Sequence, residues 1–210
     1  MEKSLDFLYT HEGEKALSKS SKDVVKRWHV IYAHARHEKR IHCEMVQMGI
    51  ESFLPMKKEL HVWSDRKKWV EVPLFSSYAF ANITSEERNR IYPLNGFVKF
   101  VCSNGKPSIV PQWQIDAIKK FIDFYPDKID VSDSDYVGTE GVILAGPLMG
   151  MHGKIVDVKN RKCFAIKVDG IEKVLSVTIP VSLFKPLSDL NKRRIPVERN
   201  MEREDSKVRR

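Results

Sequence analysis

Two groups of side chains have types and spacing suited to recognition rather than to making or breaking bonds. Arg66-Lys67-Lys68 lies in a polar stretch between Trp63 and Trp69. Three consecutive cations can contact phosphates, and flanking indoles can stack on bases. The plainer use of the same residues is a charged loop that stays in solvent. The second group is aromatic. Tyr78 and Phe80 sit two apart after a Pro73-initiated turn, so they project from one face of a strand. Trp28, Val30 and Tyr32 share the same alternation, and Phe75 precedes the second strand. Ala79, Ala81 and Ile83 take the opposite face, which is small and apolar and suits closely packed helices. The aromatics are then expected on the face the helices leave open, where an exposed apolar surface marks a docking site. The competing reading makes Trp28, Tyr78 and Phe80 core, under the leader or a second domain.

Bond-making chemistry finds little support. No serine stands in a nucleophile elbow, no glycine loop has phosphate-cradling spacing, and no carboxylates are paired on facing strands. An enzyme is therefore not expected. His37 and His42 superficially resemble a zincin helix, but they are five residues apart, about 140° from sharing a helical face. His34 and His37 read instead as residues of a solvated loop and a helix start. No metal or cofactor is expected. Cys43, Cys102 and Cys163 are odd in number and lack metal spacing, which reads as reduced, buried thiols and a cytoplasmic setting. No apolar run approaches the ~20 residues of a membrane span, and the N-terminus has no continuous apolar stretch of the secretory kind.

The chain has 210 residues and a formal net charge of +8, which favours polyanionic partners. The charge is uneven. Residues 1–26 hold five Lys and five Asp or Glu and read as a flexible leader. Residues 27–126 hold 15 basic and 10 acidic residues, and residues 127–187 hold eight of each. Residues 191–210 hold eight basic and four acidic residues; this basic, disordered tail is taken to begin near 188.

These residues need elements to position them. Trp28 to Ala33 reads as a strand. Ile41, Met45 and Met48 mark a helix that Gly49 ends. Ile50 to Leu60 and Trp69 to Val72 read as two strands joined through Ser64 to Lys68, and the strand of Tyr78 and Phe80 follows. Thr84 and Glu87 have capping-box spacing for a short helix. Pro93 and Asn95-Gly96 end that helix, and Phe97 to Val101 is a further strand. Asn95 to Val101 also echoes the aromatic strand of RNA-recognition domains, though a plain core strand explains it as well. Pro111 opens a last helix with Ile115, Ile118, Ile122 and Tyr125 on its stripe. The expected fold is an α+β sandwich over 27–125 and an acidic linker over 126–135. A small all-β barrel over 136–187 follows, with Asp169-Gly170 as a type I′ hairpin turn.

In this order the segments resemble the NusG family of transcription elongation factors, from about Arg27 to Leu187. Trp28 to Tyr32 with Glu38 is similar to the opening strand and helix of the NusG N-terminal (NGN) domain. Phe53-Leu54-Pro55 and Pro73-Leu74-Phe75-x-x-Tyr78-x-Phe80 match its most characteristic motifs, with Ser76-Ser77 where the family usually carries Pro-Gly. Gly146-Pro147-Leu148-Met149-Gly150-Met151-His152-Gly153 is similar to the KOW motif of an SH3-like barrel. Trp63 to Lys67 and the long leader are closer to the UpxY-type antiterminators of capsular polysaccharide operons. The resemblance implies a monomeric, cytoplasmic factor that makes no membrane contact. Trp28, Tyr32, Phe75, Tyr78 and Phe80 would bind the clamp helices of the largest subunit of bacterial RNA polymerase. Arg66, Lys67 and Lys68 would meet the non-template strand or the upstream DNA. A KOW barrel built on Gly146, Pro147, Gly150 and Gly153 would recruit Rho or a small-subunit ribosomal protein. The rival is a KOW-containing RNA- or ribosome-binding protein without polymerase contacts.

Overall fold

The computed structural model describes residues 25–62, 64–133, 137–158 and 161–191. Most of the leader, Trp63 and the tail from residue 192 lie outside the described residues. In chain order the first half runs β1 (Arg27–Ala33), α1 (Glu38–Gln47), β2 (Glu51–Phe53), β3 (Met56–Val62), β4 (Lys67–Pro73), β5 (Tyr78–Ile83), α2 (Arg88–Ile91) and β6 (Phe97–Phe100). Three two-residue strands follow, β7 (Cys102–Ser103), β8 (Lys106–Pro107) and β9 (Ile109–Val110), and then α3 (Gln112–Phe124). The second half is β10 (Ile129–Ser132), β11 (Thr139–Ile143), β12 (His152–Val158), β13 (Arg161–Val168), β14 (Lys173–Thr178), β15 (Phe184–Pro186) and α4 (Leu187–Asn191).

The N-terminal sheet is antiparallel in the order β2-β5-β1-β6, with β9 also on β1. The register sets Val30 opposite Phe80 and Tyr32 opposite Tyr78. The opposite face, with Ile31, Ala33, Ala79, Ala81 and Ile83, packs on Ile41 and Met45 of α1 and Ile91 of α2. Small side chains there let the helices approach closely, as the alternation implied. Gly49 ends α1 in the left-handed region at φ 74°, and Ile50 N–H donates back to the Met45 carbonyl. Thr84 and Glu87 form the reciprocal capping pair: each backbone N–H donates to the other's side-chain oxygen, at 3.0 and 3.2 Å.

The single strand expected from Ile50 to Leu60 is broken. Leu54-Pro55 separates β2 from β3, because Pro55 has no N–H to donate to a ladder. Its carbonyl instead accepts from Leu74 N–H at 2.8 Å. The break sends β2 to β5 and lets β3 and β4 form a separate two-stranded ribbon.

The C-terminal sheet is antiparallel in the order β10-β14-β13-β12-β11-β15. Its edge strand β10 lies within the segment read as linker: Ile129 and Val131 alternate and pair with β14. α4 likewise takes in residues read as tail. The Asp169-Gly170 turn is longer than a two-residue type I′ loop. Val168 pairs with Lys173, so four residues connect the strands, and Ile171 is buried in the core. The thiols also differ from expectation. All three are free, but Cys43 and Cys102 are exposed and only Cys163 is buried.

Candidate docking face and nucleic-acid interface

Phe75, Tyr78 and their turn are fixed from beneath by Glu38. Its carboxylate, buried at the start of α1, accepts the Ser77 N–H at 2.7 Å. Ser77 has φ 68°, and its carbonyl accepts from Ala33 N–H at 2.8 Å. Tyr78 N–H closes the turn on the Phe75 carbonyl at 3.2 Å. A serine thus occupies a left-handed position that glycine fills without strain. The turn presents Tyr78 edge-on to Tyr32, with ring centroids 5.4 Å apart. Both rings are half-buried.

The aromatic face is not open, contrary to the sequence-based expectation. Trp28, Phe75 and Phe80 are only 3, 2 and 0% exposed. α3 covers one end. Trp28 Nε1 donates to Gln112 Oε1 at 2.7 Å, and Lys119 Nζ lies 5.9 Å from the Trp28 ring and 5.4 Å from the Phe53 ring. The C-terminal sheet covers the middle. Trp28, Val30 and Phe80 belong to one apolar cluster with Ile115, Ile118 and Phe121 of α3 and with Phe164, Val168 and Ile171 beyond. A Cβ at Gly170 would lie 2.9 Å from Ser108 Cβ and 3.2 Å from Val30 Cγ2, so only glycine permits this approach.

α3 holds the two sheets together because it carries two buried stripes. Ile115 and Ile118 are the stripe read from the sequence. Gln114, Ala117 and Phe121 form another at the same i, i+3, i+7 spacing, and all three are buried. Gln114 Oε1 accepts the Asp169 N–H at 2.9 Å, and the Phe121 and Phe164 centroids are 6.2 Å apart. This second stripe was missed, although Phe121 seven residues after Gln114 was its visible signal.

What stays accessible of the aromatic set lines a crevice between the sheets. Tyr32, Leu74, Phe75, Ser76, Ser77 and Tyr78 form one wall, and Val131 and Lys173 face them. Of the five residues expected to bind polymerase, the structure leaves Tyr32 and Tyr78 accessible here, while Trp28, Phe75 and Phe80 are core, Phe75 beneath the crevice.

The basic triplet lies apart from this face. Arg66 is in the turn after β3, and Lys67 and Lys68 open β4; all three are exposed. The ribbon is tied to the body at its base, where Lys39 Nζ donates to the Glu71 carbonyl at 3.0 Å. In the C-terminal sheet, Gly146 and Gly150 are left-handed, at φ 82° and 79°, and bracket a turn with Pro147 at its second position. Met149 N–H closes that turn on the Gly146 carbonyl at 3.0 Å. Gly153 has a steric role instead: a Cβ there would lie 2.5 Å from the Ala165 carbonyl oxygen and 2.6 Å from the Phe164 ring.

Two histidines are buried enough to matter electrostatically. Burial, with Arg88 and Arg27 nearby, lowers the His29 pKa against the contrary effect of its bond to Ser108. Its Nδ1 donates to the Ser108 carbonyl at 3.1 Å. Burial also lowers the His42 pKa, and His42 Nδ1 contacts Ser52 Oγ at 2.9 Å. Among the described residues no group of three His, Cys, Asp or Glu is placed to hold a metal ion. No helix among them is long and apolar enough to cross a membrane.

Residues 26–119 match the family model described as "Transcription termination factor nusG". The matched span contains β1 through most of α3, and so includes both the Tyr78 turn and the basic ribbon. A solved structure described as "Domain interaction in Thermotoga maritima NusG" is similar at 19% identity, over 77% of this chain and 97% of that one, with a TM-score of 0.46. Another, "Crystal Structure of MjSpt4:Spt5 complex conformation B", is similar at 16% identity, over 76% of this chain and 96% of that one, with a TM-score of 0.23. No curated protein matches the chain.

Proposed function

We propose that this chain is a transcription elongation and antitermination factor that docks on bacterial RNA polymerase through its NusG-type domain. The carrying observation is the Tyr78 turn. An accessible aromatic pair, Tyr32 and Tyr78, is held on a rigid sheet by a buried carboxylate and lines a crevice with Phe75. The partner surface is the clamp helices of the largest polymerase subunit, which is what the NusG resemblance implies. The mechanism needs no chemical step. Binding the closed clamp more tightly than the open one shifts the polymerase away from paused states, by no more than that difference in affinity. Arg66, Lys67 and Lys68 contact DNA beside the clamp. The C-terminal sheet acts as a KOW barrel that recruits Rho or a small-subunit ribosomal protein. The UpxY-type leader and ribbon point to service at particular operons, such as capsular polysaccharide loci.

Replacing Tyr78 with Ala is expected to weaken binding to purified polymerase about thirtyfold, since truncating an aromatic anchor commonly costs ~2 kcal/mol. Tyr78 is half-buried at the crevice rim, so the variant should keep its far-UV circular dichroism. A folded Tyr78→Ala protein with wild-type affinity would return the aromatic set to a purely structural role. It would favour the rival, an RNA- or ribosome-binding protein without polymerase contacts.

A further inference from the structure

The β3–β4 ribbon has two unlike faces. Directly opposed residues share a face, so the register places Lys57, Glu59, His61, Lys68, Val70 and Val72 on one side. On that side Glu59 pairs with Lys57 at 2.5 Å and lies 3.7 Å from His61. The other side carries Lys58, Leu60 and Val62 across from Glu71, Trp69 and Lys67. Its apolar members are well exposed, Leu60 at 46%, Val62 at 64% and Trp69 at 59%. No element of the fold covers them among the described residues. Glu71, across from Lys58, is the one acidic residue on this side and lies at its base.

We propose that this face is a stacking platform for single-stranded nucleic acid. The claim rests on the reading of Arg66, Lys67 and Lys68 as a nucleic-acid contact, and adds which form of nucleic acid is bound and by which face. Charge complementarity selects the occupant. Lys67 lies beside Trp69 along this face, Lys58 stands at its other end, and Arg66 lies in the turn at the tip, with Lys68 next along the strand on the opposite face. A polyanionic backbone therefore has cations along the edges while its bases lie over the indole. A duplex hides its bases in the stack and could use only the cations. An acidic protein would meet the lysines but gain little from a single projecting indole between them.

The test uses the full chain and three labelled probes about 15 nucleotides long, close to the upper site size of single-strand binders. They are a DNA strand, the same strand as RNA, and the DNA duplex, read by fluorescence anisotropy over a range of salt. Trp69→Ala should weaken single-strand binding about tenfold, since stacking is worth ~1–3 kcal/mol per base, and leave duplex binding within about twofold. Trp69→Phe should retain most of the single-strand affinity. The DNA and RNA arms tell which strand is preferred. Replacing Arg66, Lys67 and Lys68 by Glu should weaken all probes and flatten the salt dependence by roughly two units of slope. The platform is overturned if Trp69→Ala leaves single-strand binding unchanged, or weakens duplex binding equally. It is also overturned if that variant loses polymerase binding alone, which would give the face to a protein. If the charge reversal too leaves every probe unaffected, the underlying nucleic-acid reading of the tip fails with it.

Discussion

At the scale of single residues, the same aromatic type serves two ends depending on its place along the strand. Phe80 lies mid-strand opposite Val30 and is sealed; Tyr78, at the strand's start opposite Tyr32, keeps one edge in the crevice. Alternation placed these residues on one face correctly, but it cannot say how far along the strand a covering element reaches. The buried histidines add a pH response. Burial is the main cause that lowers the pKa of His29 and of His42 below the ordinary 6.5. The folded protein therefore binds fewer protons than the unfolded chain once the pH falls below about 6.5. Stability is full above that value and is lost as pH drops towards the lowered folded pKa values. The melting temperature should decline from pH 7 to pH 5, and by less in His29→Gln. A flat profile would show that neither ring is kept neutral by the fold. The carboxylates of Glu59, bonded to Lys57, and Glu87, bonded to Thr84 N–H, titrate below their ordinary 4.5 and lie outside this window.

At the scale of elements, the turn between β4 and β5 carries the site, and its weak point is Ser77. A non-glycine residue at φ 68° is strained by roughly 1–2 kcal/mol. Glycine removes that strain but frees the unfolded chain. Ser77→Gly should therefore raise unfolding stability by about 0.5–1 kcal/mol in urea, with polymerase affinity kept. A loss of stability would mean that the serine side chain holds the turn. Elements with strong local signals were legible in the sequence. α1 with Gly49, the Thr84–Glu87 cap, β1 and β5 all lie where period and capping put them. What escaped was non-local. Ile129 to Ser132 reads as an acidic linker because Asp130 and Ser132 are polar, yet it completes a sheet edge that β14 leaves available. The second stripe of α3 was hidden because Gln114 is polar. Its burial depends on Asp169, 55 positions along the chain.

At the scale of the molecule, the two sheets are closed over the proposed docking face, and the contact bears signs of a compromise. Ser108 Oγ is buried there with no hydrogen-bond partner among the described residues, which costs roughly 1–3 kcal/mol and is relieved if the sheets part. The fit against Ser108 and Val30 also depends on Gly170 having no Cβ. Gly170→Asn keeps a residue that tolerates the left-handed region but inserts a side chain at the contact. In the full chain it should lower the melting temperature by a few degrees and raise affinity for polymerase; equal or weaker binding would show that the closed arrangement does not compete with docking. The central claim is that the N-terminal sheet, through its aromatic face, is the polymerase-binding unit. The most direct measurement is the affinity of a fragment ending at Asp127 for purified bacterial RNA polymerase, beside that of the full chain. The fragment keeps β1 to β9 and all of α3, and loses what covers Val30. The expected result is a fragment that is folded by circular dichroism and binds polymerase more tightly than the full chain. A folded fragment with no affinity for polymerase would contradict the claim.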